Sequence, residues 1–345
     1  MINPVNNGQK TVKALSEMSL PELFDLRERL FLQRLKNSDL MKDSAALGKI
    51  YRNDPFMSGQ GTLKTYTEKD TQTYGNRQDE GTTGQLVRFG IGRTMNFSFV
   101  DYGNATTMTA KARIANKYPD FIKTIDIPMM LNERRVLDGT HLLTFATVAS
   151  HVDMDGITVD DTVIDGLSLI NASHTTGLSG DVFTNIITAN PEFGRAGLLV
   201  AETVLRNNTV DGYNSLRSVS ANLVITSTDP TVMYNVRQIT GSSTEVGQSN
   251  ANVINALQKY QHIALSKLDT NANGSRDTTK SKRWFLADTN LLEAVYCEFQ
   301  AIANGAPQED NLKGYAAVHD VIFPSFGAWV YRFITPSGIV GSTPV

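Results

Sequence analysis

The residues whose types and spacing come closest to a chemical site are Asp269-Thr270-Asn271-Ala272-Asn273-Gly274-Ser275-Arg276-Asp277. Side-chain oxygens fall at the first, third, fifth and ninth positions of a calcium loop, with glycine at the sixth, where such loops turn sharply. The twelfth position, where a bidentate glutamate belongs, is Lys280. Lysine there removes two ligand oxygens and adds a positive charge, so a plain exposed loop is favoured over a weak ion site. A second acidic run, Asp153, Asp155, Asp160, Asp161 and Asp165, contains no Lys or Arg. Clustered carboxylates repel until a cation or water screens them; this spacing fits no standard ion loop, and a solvated turn region is the expectation.

Other chemistries find less support. His141, His151, His174, His262 and His319 form no His-Glu-x-x-His pair and no close Cys/His cluster, so zinc is not expected. Neither a Gly-x-Ser-x-Gly elbow nor a phosphate loop is present. Phe89-Gly90-Ile91-Gly92-Arg93 is a fragment of a dinucleotide fingerprint, but it sits inside a strand pattern with no helix after it, which favours a bent or bulged strand. Cys297, the one cysteine, lies in Val295-Tyr296-Cys297-Glu298-Phe299 and is expected to be a small core residue. No catalytic residue, cofactor or metal is therefore assigned, and an enzyme is not expected.

The elements are more telling than the motifs. From Ser58 to Gly84 the only large apolar side chains are Leu63, Tyr66 and Tyr74; beyond them Val87, Phe89, Ile91, Met95, Phe97 and Phe99 alternate with polar or glycine positions. That period of two predicts one long strand with an apolar and a wet face, and the Thr-rich run from Thr62 to Thr73 suits its hairpin partner. A lone two-stranded hairpin is marginal in water, so this ribbon is expected to lie on another surface, read here as a second copy of the chain. Leu63, Tyr66, Tyr74, Val87, Phe89 and Ile91 are the expected contacts.

Elsewhere, Ser19-Leu20-Pro21-Glu22 forms a capping box ahead of Leu20, Leu23, Phe24, Leu26, Leu30, Phe31 and Leu35 at helical spacing. Arg27, Glu28, Arg29 and Arg34 are expected on the outer face of that helix; its inner face suits its own body or a neighbour. A helix is expected from Pro119-Asp120, kinked or divided at Pro128 and interrupted at Asp138-Gly139. Short strands and turns follow from residue 151, a helix starts at Asn190-Pro191-Glu192, and another is capped by Asp229-Pro230. Strands are expected at Ala221–Ile225, around 254–268, at 284–287 and at 329–334. The class is α+β.

Composition bounds the reading. Hydrophobic content of 41% and charge content of 19% suit a folded soluble protein, and 345 residues suit two domains or one with projections. A net charge of -3 argues against a dedicated nucleic-acid reader. A single cysteine excludes an intrachain disulfide and fits a reducing compartment, and no apolar run approaches a membrane span. Met1-Ile2-Asn3-Pro4-Val5 shows no secretion-signal pattern.

From residue 165 a resemblance enters. Asp165-Gly166-Leu167-Ser168-Leu169-Ile170-Asn171-Ala172-Ser173-His174 resembles a turn of the form DG-x-x-L-x-x-x-x-H found in many tailed-bacteriophage major capsid proteins. Phe183-Thr184-Asn185, Asn190-Pro191-Glu192-Phe193, Ala201-Glu202-Thr203-Val204-Leu205, Leu223-Val224-Ile225 and the loop from Gly247 to Asn255 follow in the family's order. Lys282-Arg283-Trp284-Phe285-Leu286-Ala287-Asp288 resembles its late strand. Each match is short; their order along most of the chain carries the weight.

The resemblance implies an HK97-like fold. Its parts would be an N-terminal arm with an amphipathic helix (1–57), an extended β-hairpin or E-loop (58–103), and a peripheral domain with a spine helix (104–189). An axial domain (190–320) and a C-terminal strand returning to the peripheral domain (321–345) would complete it. It also implies a shell subunit that forms hexamers and pentamers around double-stranded DNA, located in the virion after assembly in the host cytoplasm. Portal, scaffold and decoration proteins are the implied partners, with the scaffold separate or removed as a segment before Met1. Lys64 and Lys69 lie where some relatives crosslink, but no acceptor is matched. DNA contact would be non-specific, through Arg27, Arg29, Arg34 and Lys36. Two other readings compete: a minor virion or adhesion protein, which the Thr/Gly-rich strands suit, and a cytosolic enzyme with a dispersed site.

Overall fold

A computed structural model of the protein describes residues 13–56, 61–69, 91–177, 180–210, 216–241, 259–315 and 318–343. The α+β class expected from the sequence is what it contains. The chain condenses into two compact units, each gathered from separated stretches. Met1–Lys42, Phe99–Arg135 and Glu298–Trp329 make one; Asp43–Ser98, Val136–Cys297 and Val330–Val345 make the other.

In the first unit Ser19 opens the helix Leu20–Lys36, its backbone N–H donating to Glu22 Oε2 at 2.9 Å, as the capping box predicts. Leu23 is buried with Leu15, Met108, Ala112, Phe121, Val321 and Phe323. The apolar face of this helix therefore lies on its own unit, one of the two placements its inner face suits. The strand Val100–Met108 runs antiparallel to Val318–Phe333, from Val321 opposite Met108 to Trp329 opposite Val100. The short helices Ala110–Ile114 and Tyr118–Lys123 close the same core.

The helix Asp126–Thr144 carries Pro128 as its third residue, in a first turn whose N–H groups have no intrahelical partner, so the ring ends nothing. Nor does Asp138-Gly139 interrupt it. In the second unit, a Cβ at Gly139 would come within 2.9 Å of Leu47 Cδ1 and 3.1 Å of the Tyr331 ring, and the Gly139 carbonyl accepts the Tyr51 hydroxyl at 2.8 Å. Glycine there is a close approach between packed groups, not a break.

The second unit's main sheet orders Gln261–Leu265, Leu223–Ser227, Trp284–Ala287 and Ile339–Ser342, parallel in the first pair and antiparallel afterwards. Every residue of the two central strands is buried. The helices Arg195–Asn208 and Pro230–Gly241 cover it with Leu198, Ala201, Leu205, Val232 and Val236 against Trp284 and Leu286. The first of these starts at Arg195 and not at Asn190-Pro191: Ala189 and Asn190 hold positive φ, and the Pro191 carbonyl accepts from Trp284 Nε1 and Ser342 Oγ. The last strand, Ile339–Ser342, belongs to this sheet.

Candidate functional site

The base of the ribbon is built as the alternation predicts. Leu63–Lys69 pairs antiparallel with Ile91–Ser98, Leu63 opposite Ser98 and Tyr66 opposite Met95. Met95 and Phe97 point inward while Thr94, Asn96 and Ser98 are exposed. The register shifts between Thr67 and Lys69, beside Gly92, where a Cβ would stand 2.8 Å from the Glu68 carbonyl oxygen. Close backbone approach at a bulge is the reason for glycine at position 92; Gly90 lies outside the described residues.

The surface under this base is the chain itself. Met95 and Phe97 share a core with Ile164, Val295, Cys297 and Ile334, flanked by Phe56, Tyr66 and Val330. Tyr66 stacks on Phe97 with ring centroids 5.5 Å apart, and its hydroxyl donates to Asp54 Oδ2. Lys64 Nζ donates to Asp54 Oδ1 at 2.9 Å and to the Pro55 carbonyl at 3.0 Å. Burial pushes the Asp54 carboxyl up, but the Tyr66 hydroxyl and the Lys64 ammonium outweigh it and hold it below its ordinary value. Burial, then the bond to Asp54, raises the Tyr66 phenol, and burial raises the Cys297 thiol to about 11, so that sulfur is an inert core group. Arg93 ties the second strand down by donating to the Thr175 carbonyl at 3.0 Å, Thr175 Oγ1 and the Thr176 carbonyl.

Of the six expected contact residues, Leu63 is 55% exposed. Tyr66 is half-buried against its own unit, so its ring is committed within the chain. Ile91 is placed by its backbone only, and Tyr74, Val87 and Phe89 lie outside the described residues. The expectation that the ribbon rests on a second copy therefore does not hold for its described base.

Among the four expected DNA-facing cations, Arg27 is a correction. It is fully buried, donating to the Thr124 and Pro324 carbonyls and to Ser325 Oγ, with its guanidinium 5.3 Å from the Phe323 ring centroid. Burial lowers it to about 10, and the carbonyls keep it bound. Helical spacing had put it beside Leu23 and Phe31 on the inner stripe, where charge alone argued for the outside. Arg34 pairs with Asp126. Arg29, bonded to the Asp25 carbonyl, and Lys36 are exposed.

The acidic run divides. Asp153 holds its own turn, and Asp160 caps Thr162. Asp161 and Asp165 are buried instead, against His151 Nδ1 at 2.5 Å and His174 Nδ1 at 2.7 Å. Sequence reasoning quoted Asp165 and His174 as the two ends of one turn motif without reading them as a bonded pair, and it missed His151 with Asp161, ten residues apart. The calcium-type loop carries an internal cation: Lys280 Nζ donates to the Thr270 carbonyl at 3.1 Å and stands 3.3 Å from Asp277 Oδ2, while Arg276 faces Asp269. Among the described residues no group of three or more His, Cys, Asp or Glu side chains could hold a metal ion, and no helix is long and apolar enough to cross a membrane.

No family model matches the chain, and no curated protein matches it in sequence. Solved structures do. The chain is similar to the capsid structure of the cyanophage P-SCSP1u, at 9% identity over 86% of each chain with a TM-score of 0.49. It is similar to the capsid of Myoviridae phage XM1, at 14% identity over 86% of this chain and 90% of that one, with a TM-score of 0.45. The mature capsid of bacteriophage PhiM1 is a third, at 14% identity over 84% and 87% with a TM-score of 0.46.

Proposed function

We propose that this chain is a major capsid subunit of the tailed-bacteriophage class, with an HK97-like fold, that assembles into hexamers and pentamers as a shell around double-stranded DNA. The observation that carries the reading is the order of parts. A two-stranded ribbon with its base at Leu63–Lys69 and Ile91–Ser98 comes before the long helix Asp126–Thr144, and a separate buried sheet flanked by two helices follows. That is the order of hairpin, spine helix and axial domain that the resemblance to the HK97-like fold implies.

Closed shells built from one repeated chain gain their strength from many modest contacts engaged together. Leu63 supplies exposed apolar area at the ribbon base, and Tyr74, Val87, Phe89 and Ile91 are proposed as contacts further along. Arg29 and Lys36 are the proposed cations for weak, salt-sensitive DNA contact; Arg34, spent on Asp126, contributes less. Portal, scaffold and decoration proteins are proposed partners, the virion the proposed location after assembly in the host cytoplasm, and the role structural without catalysis. Negative-stain microscopy and light scattering of the purified protein test this: uniform large shells are expected. A product that stays small across salt, pH and concentration overturns it.

A further inference from the structure

The chain carries three Asn-Gly pairs; Asn7-Gly8 lies outside the described residues, and the fold treats the other two oppositely. In such a pair the glycine has no side chain to keep its main-chain nitrogen away from the asparagine carboxamide. Attack of that nitrogen on the carboxamide carbon is then limited by approach geometry and by how well the developing oxyanion is held. Asn304-Gly305 is closed to this chemistry. Asn304 ends the strand Ala294–Asn304 and is 7% exposed; its Nδ2 donates to Glu28 Oε1 at 2.5 Å, and its Oδ1 accepts from Ser325 Oγ at 3.0 Å. The Gly305 N–H donates to the Pro324 carbonyl at 3.0 Å, and a Cβ on Gly305 would fall 2.8 Å from Pro324 Cγ and 3.0 Å from Phe326 Cε1. Bonded and packed in this way, the carboxamide and the nitrogen have no room to meet.

Asn273-Gly274 is open to it. Asn273 is exposed in the loop 269–277, whose ends are joined by Thr270 paired with Arg276 and by the Asp277 N–H donating to the Asp269 carbonyl at 2.7 Å. Two donors meet at Asn273 Oδ1: the Ser275 N–H at 3.0 Å and the Ser275 hydroxyl at 2.6 Å. They orient the carboxamide and stand where negative charge develops when its carbon is attacked. Gly274 holds a φ of 77°, and a Cβ there would meet Leu137 no closer than 3.7 Å, so the space around it is open. Its N–H donates to the Asn271 carbonyl at 2.9 Å, between exposed Asn273 and Ser275, where water and hydroxide reach.

We propose that Asn273 is a self-modification site, deamidated through the Gly274 nitrogen with Ser275 assisting. Hydroxide removes the Gly274 N–H proton, the nitrogen's electron pair forms a bond to Asn273 Cγ, and both Ser275 donors hold the resulting oxyanion on Oδ1. Collapse breaks the Cγ–Nδ2 bond and releases ammonia, which takes its third proton from water and restores the hydroxide. Water then opens the succinimide at either carbonyl, leaving aspartate or isoaspartate. The sum is asparagine plus water to an acid plus ammonia, with nothing oxidised or reduced. Each modified copy gains one negative charge. The isoaspartyl form also adds a main-chain atom inside the turn that the Asn271 N–H closes on the Ser275 carbonyl at 2.7 Å.

Ageing the full chain tests it. The unaltered protein and Ser275→Ala are held at mildly alkaline pH, each folded and in guanidinium chloride, and circular dichroism melts verify folding. Peptide mass spectrometry follows conversion at Asn273 and Asn304 over time, with isoaspartate separated from aspartate. In denaturant the two pairs should react at similar rates, because there the dipeptide alone decides. In the folded protein Asn273 should react at least about tenfold faster than Asn304, and faster still as hydroxide rises. Ser275→Ala, measured against its own unfolded rate, should slow Asn273 at least about threefold. A smaller gap between Asn273 and Asn304 in the folded protein overturns the proposal, and so does a rate at Asn273 that Ser275→Ala leaves unchanged or raises.

Discussion

Single residues here do work that their type disguises. Arg27 is a core residue: its guanidinium donates to the Thr124 and Pro324 carbonyls and to the Ser325 hydroxyl, of which the last two also bond the Gly305 N–H and Asn304 Oδ1. Arg27→Ala should therefore destabilise the fold by about 2–4 kcal/mol in urea unfolding, by weakening the pairing of these buried acceptors, the Thr124 carbonyl above all, and opening a cavity. Arg29→Ala, on the exposed face, should change stability by less than about 0.5 kcal/mol. Asp165 provides a pH-dependent counterpart. Burial pushes its carboxyl up, but the bond from His174 and the N–H groups of Leu167 and Thr175 outweigh this and hold it below the ordinary 3.8. A carboxyl depressed in the folded state stabilises fully above its unfolded value and loses that contribution as pH falls through the folded one. Urea midpoints should thus fall on acidification below about pH 4, and Asp165→Asn should be less stable at neutral pH with a flatter acid limb. Asp161, raised by burial despite His151, acts in the opposite sense, so the comparison must be made within the Asp165 pair of proteins. The Asp165–His174 bond joins the two ends of the DG-x-x-L-x-x-x-x-H turn, whose chemistry the motif alone did not state, and His151 with Asp161 matches no motif, whereas the capping box at Ser19 and Glu22, a strictly local device, was plain in the sequence.

Whole elements were legible where their signal was local and periodic. The helix Leu20–Lys36, the buried strands Leu223–Ser227 and Trp284–Ala287, and the ribbon base all announce themselves by spacing. The strands Ala294–Asn304 and Gln308–Tyr315 did not, because Glu298-Phe299-Gln300 and Gln308-Glu309-Asp310-Asn311 lack an apolar alternation and gain their order from the strand Val318–Phe333. The helix Leu40–Leu47 was missed because eight residues are too few to show a periodic stripe, although Ser38 and Asp39 stand before it. Gly139 was misjudged because helix propensity speaks only of the isolated helix. Replacing it by alanine inside Asp126–Thr144 gains about 1 kcal/mol of intrinsic propensity. The new methyl, however, would press on Leu47 Cδ1 and the Tyr331 ring at about 3 Å, and overpacking of that kind costs about 1–3 kcal/mol. Since Tyr331 is held between Tyr51 and Tyr296 it has little room to give. Gly139→Ala should therefore lower the melting temperature by a few degrees; a rise would mean that the ring yields.

At the scale of the molecule, folding and assembly should be separable, and the ribbon is where to cut. Its base is anchored within the second unit by Met95, Phe97, Tyr66 and Arg93, and Lys69 stands opposite Ile91 in the ladder. Residues 70–90 can therefore be exchanged for a two-residue Asn-Gly turn, the connection whose twist suits paired antiparallel strands. None of the anchoring contacts is touched, so the shortened protein should melt within about 2–3 °C of the parent, a shift equivalent to well under 1 kcal/mol. If the ribbon is an inter-subunit clasp, the same protein should form no shells at any concentration at which the parent does. Affinity built from many weak contacts falls steeply when one recurring contact is removed from every copy. Sedimentation and microscopy on the two proteins side by side decide it. Loss of shells with the melt unchanged assigns the ribbon to assembly, whereas parent-sized shells from the shortened chain would show that copies hold together through other surfaces.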